Sequence, residues 1–220
     1  MTDWAVGTGN RIQLLMELRR AGIDDTTVLS AIERLPRDQF VAPADQARAW
    51  DDVSLPASAA AAAVLRPLHA AVLLKASALE GRERVLLVPT GSGYFAALIA
   101  ATCRWVYTVE ADRRTRTAAD ARIKALRISN VVSRQGDPLA GWEQQAPFDR
   151  IVVEQVISDF PSTLLAQLRD GGSMLVPLGD TADTHHVRGN FATITRIVRT
   201  GESYESESIL RTSFATQVRH

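Results

Sequence analysis

The stretch RVLLVPTGSGYFAALIA, residues 84–100, constrains the fold more than any other. It reads as a short apolar strand, a glycine turn and an apolar helix. Such a turn brings backbone N–H groups close to a ligand. Glycine is needed there wherever a side chain would block that approach or φ must be positive. Gly91 and Gly93 supply two such positions, and Ala96 completes a literal G-x-G-x-x-A. Strands and helices then alternate. WVYTVE (105–110) reads as a strand, RRTRTAADARIKALR (113–127) as a helix, and NVVSRQGD (130–137) holds a short strand. FDRIVVEQV (148–156) is a further strand, PSTLLAQLRD (161–170) a helix and GSMLVPLG (172–179) a strand. The alternation predicts an α/β fold with a Rossmann-like, doubly wound, mostly parallel sheet. The tail differs: FATITRIVRT (191–200) and SYESESILRT (203–212), joined at Gly201, predict a C-terminal antiparallel hairpin.

Upstream, RIQLLMELRRA (11–21) and DDTTVLSAIERL (24–35) carry apolar residues at helical spacing, and Pro36 ends the second helix. Residues 37–56 read as an irregular connector. The alanine-rich segment 57–79 favours helix, interrupted at Pro67, with a second helix over 67–79. The expected organisation is an N-terminal helical extension and cover segment over 1–80 and a Rossmann-like domain over 81–220.

Composition narrows the function classes. The 220 residues carry no formal net charge, so no global field favours nucleic acid or an anionic membrane. The basic residues of 113–127 lack interleaved aromatics and read as a solvated helix face, so no nucleic-acid partner is expected. Only Lys75 and Lys124 could form a Schiff base. The single cysteine, Cys103, excludes an intrachain disulfide and fits a reducing cytoplasm; its apolar context marks a buried thiol. No leader-like segment opens the chain. The longest apolar run, AAAAAVL (59–65), is far short of the about 20 residues of a membrane span, so a soluble, cytoplasmic protein without a membrane partner is expected. His185 and His186 lie in a polar loop without metal-ligand spacing, and no metal is expected.

Two acids complete the candidate site. Glu110 ends the strand after the glycine turn, nineteen residues beyond Gly91, where a carboxylate can accept both hydroxyls of an adenosine ribose. Asp137 follows the next strand at the same end of the sheet. It reads equally as a ligand residue or as a turn residue before Pro138. The G-x-G-x-x-A count alone also admits a nicotinamide-dependent oxidoreductase, which the antiparallel tail disfavours.

Taken in order, the segments resemble the protein-L-isoaspartate O-methyltransferases, class I enzymes that use S-adenosylmethionine. The resemblance runs from about residue 11 to the C-terminus. It is carried by LRRAGIDDTTVLSAIERLPRDQFV (18–41), AWDDVSLP (49–56), the TGSGY turn, VYTVE (106–110), GDPLAGW (136–142), APFDRIVV (146–153) and GGSMLVPLG (171–179). It implies the class I methyltransferase fold and S-adenosyl-L-methionine as cofactor, without metal. The implied cofactor-binding residues are Thr90, Gly91, Ser92, Gly93, Tyr94, Glu110 and Asp137. The implied reaction is methyl transfer to the free carboxylate of isoaspartate in damaged proteins or peptides, a protein-repair activity. Asp52 stands at the aspartate of the family's A-Y-x-D-x-P-L-P segment and is the implied substrate-side residue; no catalytic residue is assigned.

The chain departs from the family at functional segments. Leu87 replaces the acid of the cofactor strand, and Pro89 replaces the first glycine of the turn. AAAAAVLRP (59–67) stands where the family has the hydroxyl-bearing G-Q-T-I-S-Q-P, and Glu154-Gln155 where T-A is common. Two readings follow: an active methyltransferase, or a catalytically degenerate relative that serves as a binding or regulatory module, with an unknown protein partner, on the same fold.

Overall fold

The structure is a computed structural model and describes residues 4–57, 62–179 and 190–214. Seven strands form one sheet: β3 (Arg84–Val88), β4 (Trp105–Glu110), β5 (Val131–Gln135), β6 (Phe148–Val153), β7 (Leu168–Gly179), β8 (Asn190–Thr200) and β9 (Ser203–Phe214). Their order is β5-β4-β3-β6-β7-β8-β9. The first five run parallel, β8 pairs antiparallel with β7, and β9 pairs antiparallel with β8. The expected mostly parallel sheet with an antiparallel end is therefore present. β3 occupies the centre, which explains its unbroken apolar run: Val85, Leu86, Leu87 and Val88 are all fully buried, as a strand covered on both faces requires. Helix α4 (Tyr94–Ala100) is buried on every side for the same reason.

The helices begin where local chemistry permits. Asp25 caps α2 (Thr26–Arg34), its Oδ1 accepting from the amides of Thr27 and Val28 at 2.8 and 3.1 Å. Asp112 caps α5 (Arg113–Ala125) through the Thr115 amide at 2.7 Å. The first helix, α1 (Trp4–Arg20), starts earlier than its apolar spacing indicates. The C-terminal hairpin turns over the two residues Gly201 and Glu202, with Gly201 at φ 61°.

Two expectations fail. The alanine segment is not helical where it is described. Ala63–Val64 (β2) pairs antiparallel with Leu55–Pro56 (β1), with Val64 fully buried, so packing of a β-branched residue outweighs alanine's intrinsic preference; residues 58–61 lie outside the described residues. Helix α3 (Pro67–Ser77) then follows as expected, with proline at its first turn. The helix expected over 161–170 shrinks to one turn, α6 (Ser162–Leu165), because Leu168 already pairs with Phe148 and opens β7.

The helices α1, α2 and α3 pack directly onto the sheet and its helix α4. One continuous apolar cluster joins Leu14, Ile32, Phe40 and Leu73 to Val85, Leu87, Phe95 and Val152. At its centre lies a charge. Arg37 is fully buried. Its Nη1 donates to the carbonyl oxygens of Ala49 (2.5 Å) and Asp51 (3.4 Å), and its Nη2 to those of Val53 (2.7 Å) and Leu65 (3.1 Å). The guanidinium also stands 5.6 Å from the Tyr94 ring centre, and Phe40 meets that ring edge-on at 5.5 Å. One side chain thus satisfies carbonyls of an otherwise irregular connector and of Leu65, which precedes the first turn of α3. Arg37→Ala would strand those carbonyls in the interior. It should lower unfolding stability by about 3 kcal/mol in urea titration, and Arg37→Lys, which lacks the planar fork, should recover only part.

Candidate functional site

The C-terminal ends of β3, β4, β5 and β6 converge on Glu110. The carboxylate accepts from the Gly91 amide through Oε2 at 3.0 Å and from the Asp112 amide through Oε1 at 3.2 Å. The Glu110 carbonyl accepts from Gly136 N–H at 3.0 Å, which draws the exit of β5 alongside. Glu110 is buried, 8% exposed, and its oxygens are held by backbone amides. An ionised carboxylate fixed by two amides keeps acceptor capacity for further donors, as neighbouring hydroxyls of a ribose would supply.

The glycine turn adopts the backbone that only glycine accepts readily: φ is 53° at Gly91 and 82° at Gly93. A Cβ on Gly93 would also approach the Ala119 Cβ to 3.0 Å, so this glycine lets α5 close against the turn. Thr90 is buried, its hydroxyl sharing a 2.6 Å hydrogen bond with that of Thr108, and its amide donates to Val109 O at 3.2 Å. Ser92 Oγ accepts from the Tyr94 amide at 3.3 Å, while its carbonyl accepts from Arg122 Nη1 at 3.2 Å. The Tyr94 side chain points away from any ligand role: it is fully buried against Arg37 and Phe40, its hydroxyl lacks a hydrogen-bond partner, and burial pushes its pKa up to about 12. Leu87 and Val88 bring only buried hydrocarbon to this end of β3, and Pro89 brings no amide donor.

Asp137 follows β5 next to Gly136, its Oδ1 accepting from the Leu139 amide at 2.9 Å. Its turn role is thus realised, at the same end of the sheet as Glu110. Asp52 lies in the connector before β1. It pairs with Arg66 (Nη2–Oδ2 2.7 Å) and accepts from the Leu68 amide at 2.8 Å in the first turn of α3. Cys103 is buried, and burial first and Glu83 second push its thiol up to about 12, as a structural thiol requires. His69 is buried in α3 with Nε2 2.7 Å from Thr212 Oγ1, and burial lowers its pKa to about 4. His185 and His186 lie outside the described residues. Among the described residues no cluster of His, Cys, Asp or Glu could hold a metal ion, and no helix is long and apolar enough to cross a membrane.

Sequence reasoning missed two residues. Arg37 gave no signal, because an arginine in a polar connector reads as exposed. Glu154 was visible only as an unusual residue after an apolar strand. It follows β6 directly, its amide donating to Val88 O at 2.8 Å. Its two carboxylate oxygens lie 3.8 and 4.0 Å from where a Cβ of Gly91 would sit. Oε2 is buried with no hydrogen-bond partner. Burial, and then the neighbouring Glu110 charge, raise the Glu154 pKa to about 8. A groove of about 850 Å³, lined by Thr27, Ser30, Arg34, Ala101 and Asn130, opens elsewhere, beside the segments that enter β4 and β5, and is separate from this cluster.

The family model described as protein-L-isoaspartate(D-aspartate) O-methyltransferase (PCMT) matches residues 10–201. The protein-L-isoaspartate O-methyltransferase of Paramagnetospirillum magneticum is 41% identical over 207 residues, covering 94% of each chain. A solved protein-L-isoaspartate O-methyltransferase superposes with a TM-score of 0.80 at 24% identity, over 94% of this chain and 65% of its own. A Plasmodium falciparum protein assigned to the same methyltransferase type, solved with S-adenosyl-L-homocysteine, superposes with a TM-score of 0.72 at 19% identity, over 93% and 96%. The two structures bear out the fold.

The raised Glu154 pKa has a consequence for stability. The unfolded carboxyl ionises near 4.5 and the folded one near 8, so folding opposes ionisation and Glu154 costs stability progressively as pH rises between those values. Glu154→Gln should therefore melt close to the parent at pH 4.5 and above it at pH 9, as thermal denaturation followed by circular dichroism would read.

Proposed function

The chain belongs to the protein-L-isoaspartate(D-aspartate) O-methyltransferase family, and on that premise we propose that it transfers a methyl group from S-adenosyl-L-methionine to the free carboxylate of isoaspartyl residues in proteins or peptides. The observation that carries this reading is the Glu110 carboxylate, held by the amides of Gly91 and Asp112 beside the glycine turn. It is oriented before any ligand arrives and needs no rearrangement to accept two ribose hydroxyls. The open backbone at Gly91 and the backbone-held Glu110 carboxylate fit an adenosine cofactor. Thr90, Gly91, Ser92 and Gly93 would form its cradle, with Tyr94 contributing through its backbone. Asp137, at the neighbouring strand exit, would line the adenine side.

When bound, the cofactor supplies an activated methyl group on a sulfonium that leaves as a neutral thioether. The acceptor carboxylate is ionised at neutral pH, its pKa near 4, so the chain needs no general base. Its residues instead hold the two partners in line and keep water away, an alignment that can supply about 7–11 kcal/mol at best. Asp52, joined to Arg66 at the start of α3, would order the cover segment on the substrate side. The buried thiol and balanced charge support action in the cytoplasm on a soluble protein substrate, with neither nucleic acid nor membrane as partner.

The second reading, a binding module without the reaction, is favoured by Leu87 and Pro89, which leave β3 without a polar group at the turn. Calorimetric titration with S-adenosylmethionine and S-adenosylhomocysteine, followed by methyl transfer to an isoaspartyl peptide, separates the two. Binding with methyl-ester formation is the expected outcome; binding without transfer to the isoaspartyl peptide would leave a methyltransferase of another acceptor, and no binding at millimolar cofactor would overturn the enzyme reading and leave the module. Glu110→Ala should weaken cofactor binding about tenfold or more, the worth of a charge-assisted hydrogen bond pair; unchanged affinity would overturn the ribose assignment.

A further inference from the structure

Glu154 is a carboxylate without a counterpart. Glu110 spends its oxygens on two amides, but Glu154 Oε2 is enclosed and has no donor. Burying such a group costs several kcal/mol unless something pairs with it. The cost falls at a particular place. β6 runs parallel to β3 with Leu87 beside Val152 and Val88 beside Val153. The period of two along a strand that sets Val152 against the Leu87 face carries Glu154 to that face, one pleat further along. There its carboxylate stands at Gly91, where no side chain screens it. No acid reaches this point from β3, whose last residues are buried hydrocarbon.

We propose that Glu154 contacts the cofactor, its carboxylate taking the cationic part of S-adenosylmethionine while Glu110 takes the ribose; this rests on the cofactor reading above. S-adenosylmethionine carries two cationic centres, the ammonium of its amino-acid end and the sulfonium. Either satisfies an unpaired carboxylate and relieves its repulsion with Glu110. The elevated Glu154 pKa accords with a group that lacks its partner until the ligand arrives. The chain thus carries at the end of β6 an acid whose ionisation in the free protein is opposed by its burial and that is retained for binding.

The test is calorimetric titration of the full chain and of Glu154→Gln and Glu154→Ala with three ligands: S-adenosylmethionine, S-adenosylhomocysteine, and methylthioadenosine, which keeps the adenosine and thioether but has no cation. Both variants should lose about tenfold or more in affinity for S-adenosylmethionine and bind methylthioadenosine within about twofold of the parent. An equal loss for S-adenosylhomocysteine assigns the carboxylate to the ammonium; a loss confined to S-adenosylmethionine assigns it to the sulfonium. Thermal melts at pH 9, with Glu154→Gln at or above the parent, verify that the variant is folded. Unchanged S-adenosylmethionine affinity in both variants, with the parent binding, overturns the role of Glu154 and leaves the cofactor reading standing. A uniform loss across all three ligands overturns it too, as a merely structural effect. A parent that binds none of the three brings down the cofactor reading and this proposal together.

Discussion

The grip of the Gly91 and Asp112 amides on the Glu110 carboxylate organises the functional end of the sheet. One side chain fixes the turn after β3 to the exit of β4 and to the start of α5, and its own carbonyl holds Gly136 at the exit of β5. A charged acceptor binds amides more strongly than a neutral one, and these amides belong to residues that no regular element would otherwise tie together. The positive φ of Gly91 and Gly93 and the tight approach of Ala119 to Gly93 follow from bringing those segments so close. The parallel strands deliver their ends to one edge; Glu110 converts that edge into a defined cradle.

Most of this architecture was legible in the sequence. The run of four apolar residues in β3 and the wholly apolar α4 announce a central strand and its helix, since each is buried on all sides. The hairpin of β8 and β9 was legible from two alternating segments around Gly201. The failures came where local preference and tertiary pairing disagree. Ala63 and Val64 carry a helical composition but close a small ladder with Leu55 and Pro56. Leu168 belongs by pattern to a helix but meets Phe148 across the sheet. Neither partner lies within reach of a periodicity argument.

The candidate site was legible in outline and not in its charges. Gly91, Glu110 and the neighbourhood of Asp137 come together as their positions after successive strands imply. Tyr94 does not join them by its side chain, because α4 turns the ring into the core. Arg37 and Glu154 escaped notice because burial of a charge is a property of surroundings that one chain position does not disclose. Arg37 sits among carbonyls from residues 49 to 65, and Glu154 beside Gly91, 63 residues upstream. The same low-dielectric interior lowers the affinity of Arg37 for its proton and raises that of Glu154. Arg37 is answered by carbonyl dipoles at all four of its hydrogen bonds, and Glu154 is answered by none.

Among the described residues, β9 stands last in the sheet order and pairs with β8 alone. An edge of twelve residues is long enough to recruit foreign extended chain and seed aggregation. Here its first half is exposed and reads Ser-Tyr-Glu-Ser-Glu-Ser, so an incoming apolar strand would have to desolvate Glu205 and Glu207. The acidic residues of β9 thus oppose edge-to-edge pairing at the end of the sheet order opposite β5.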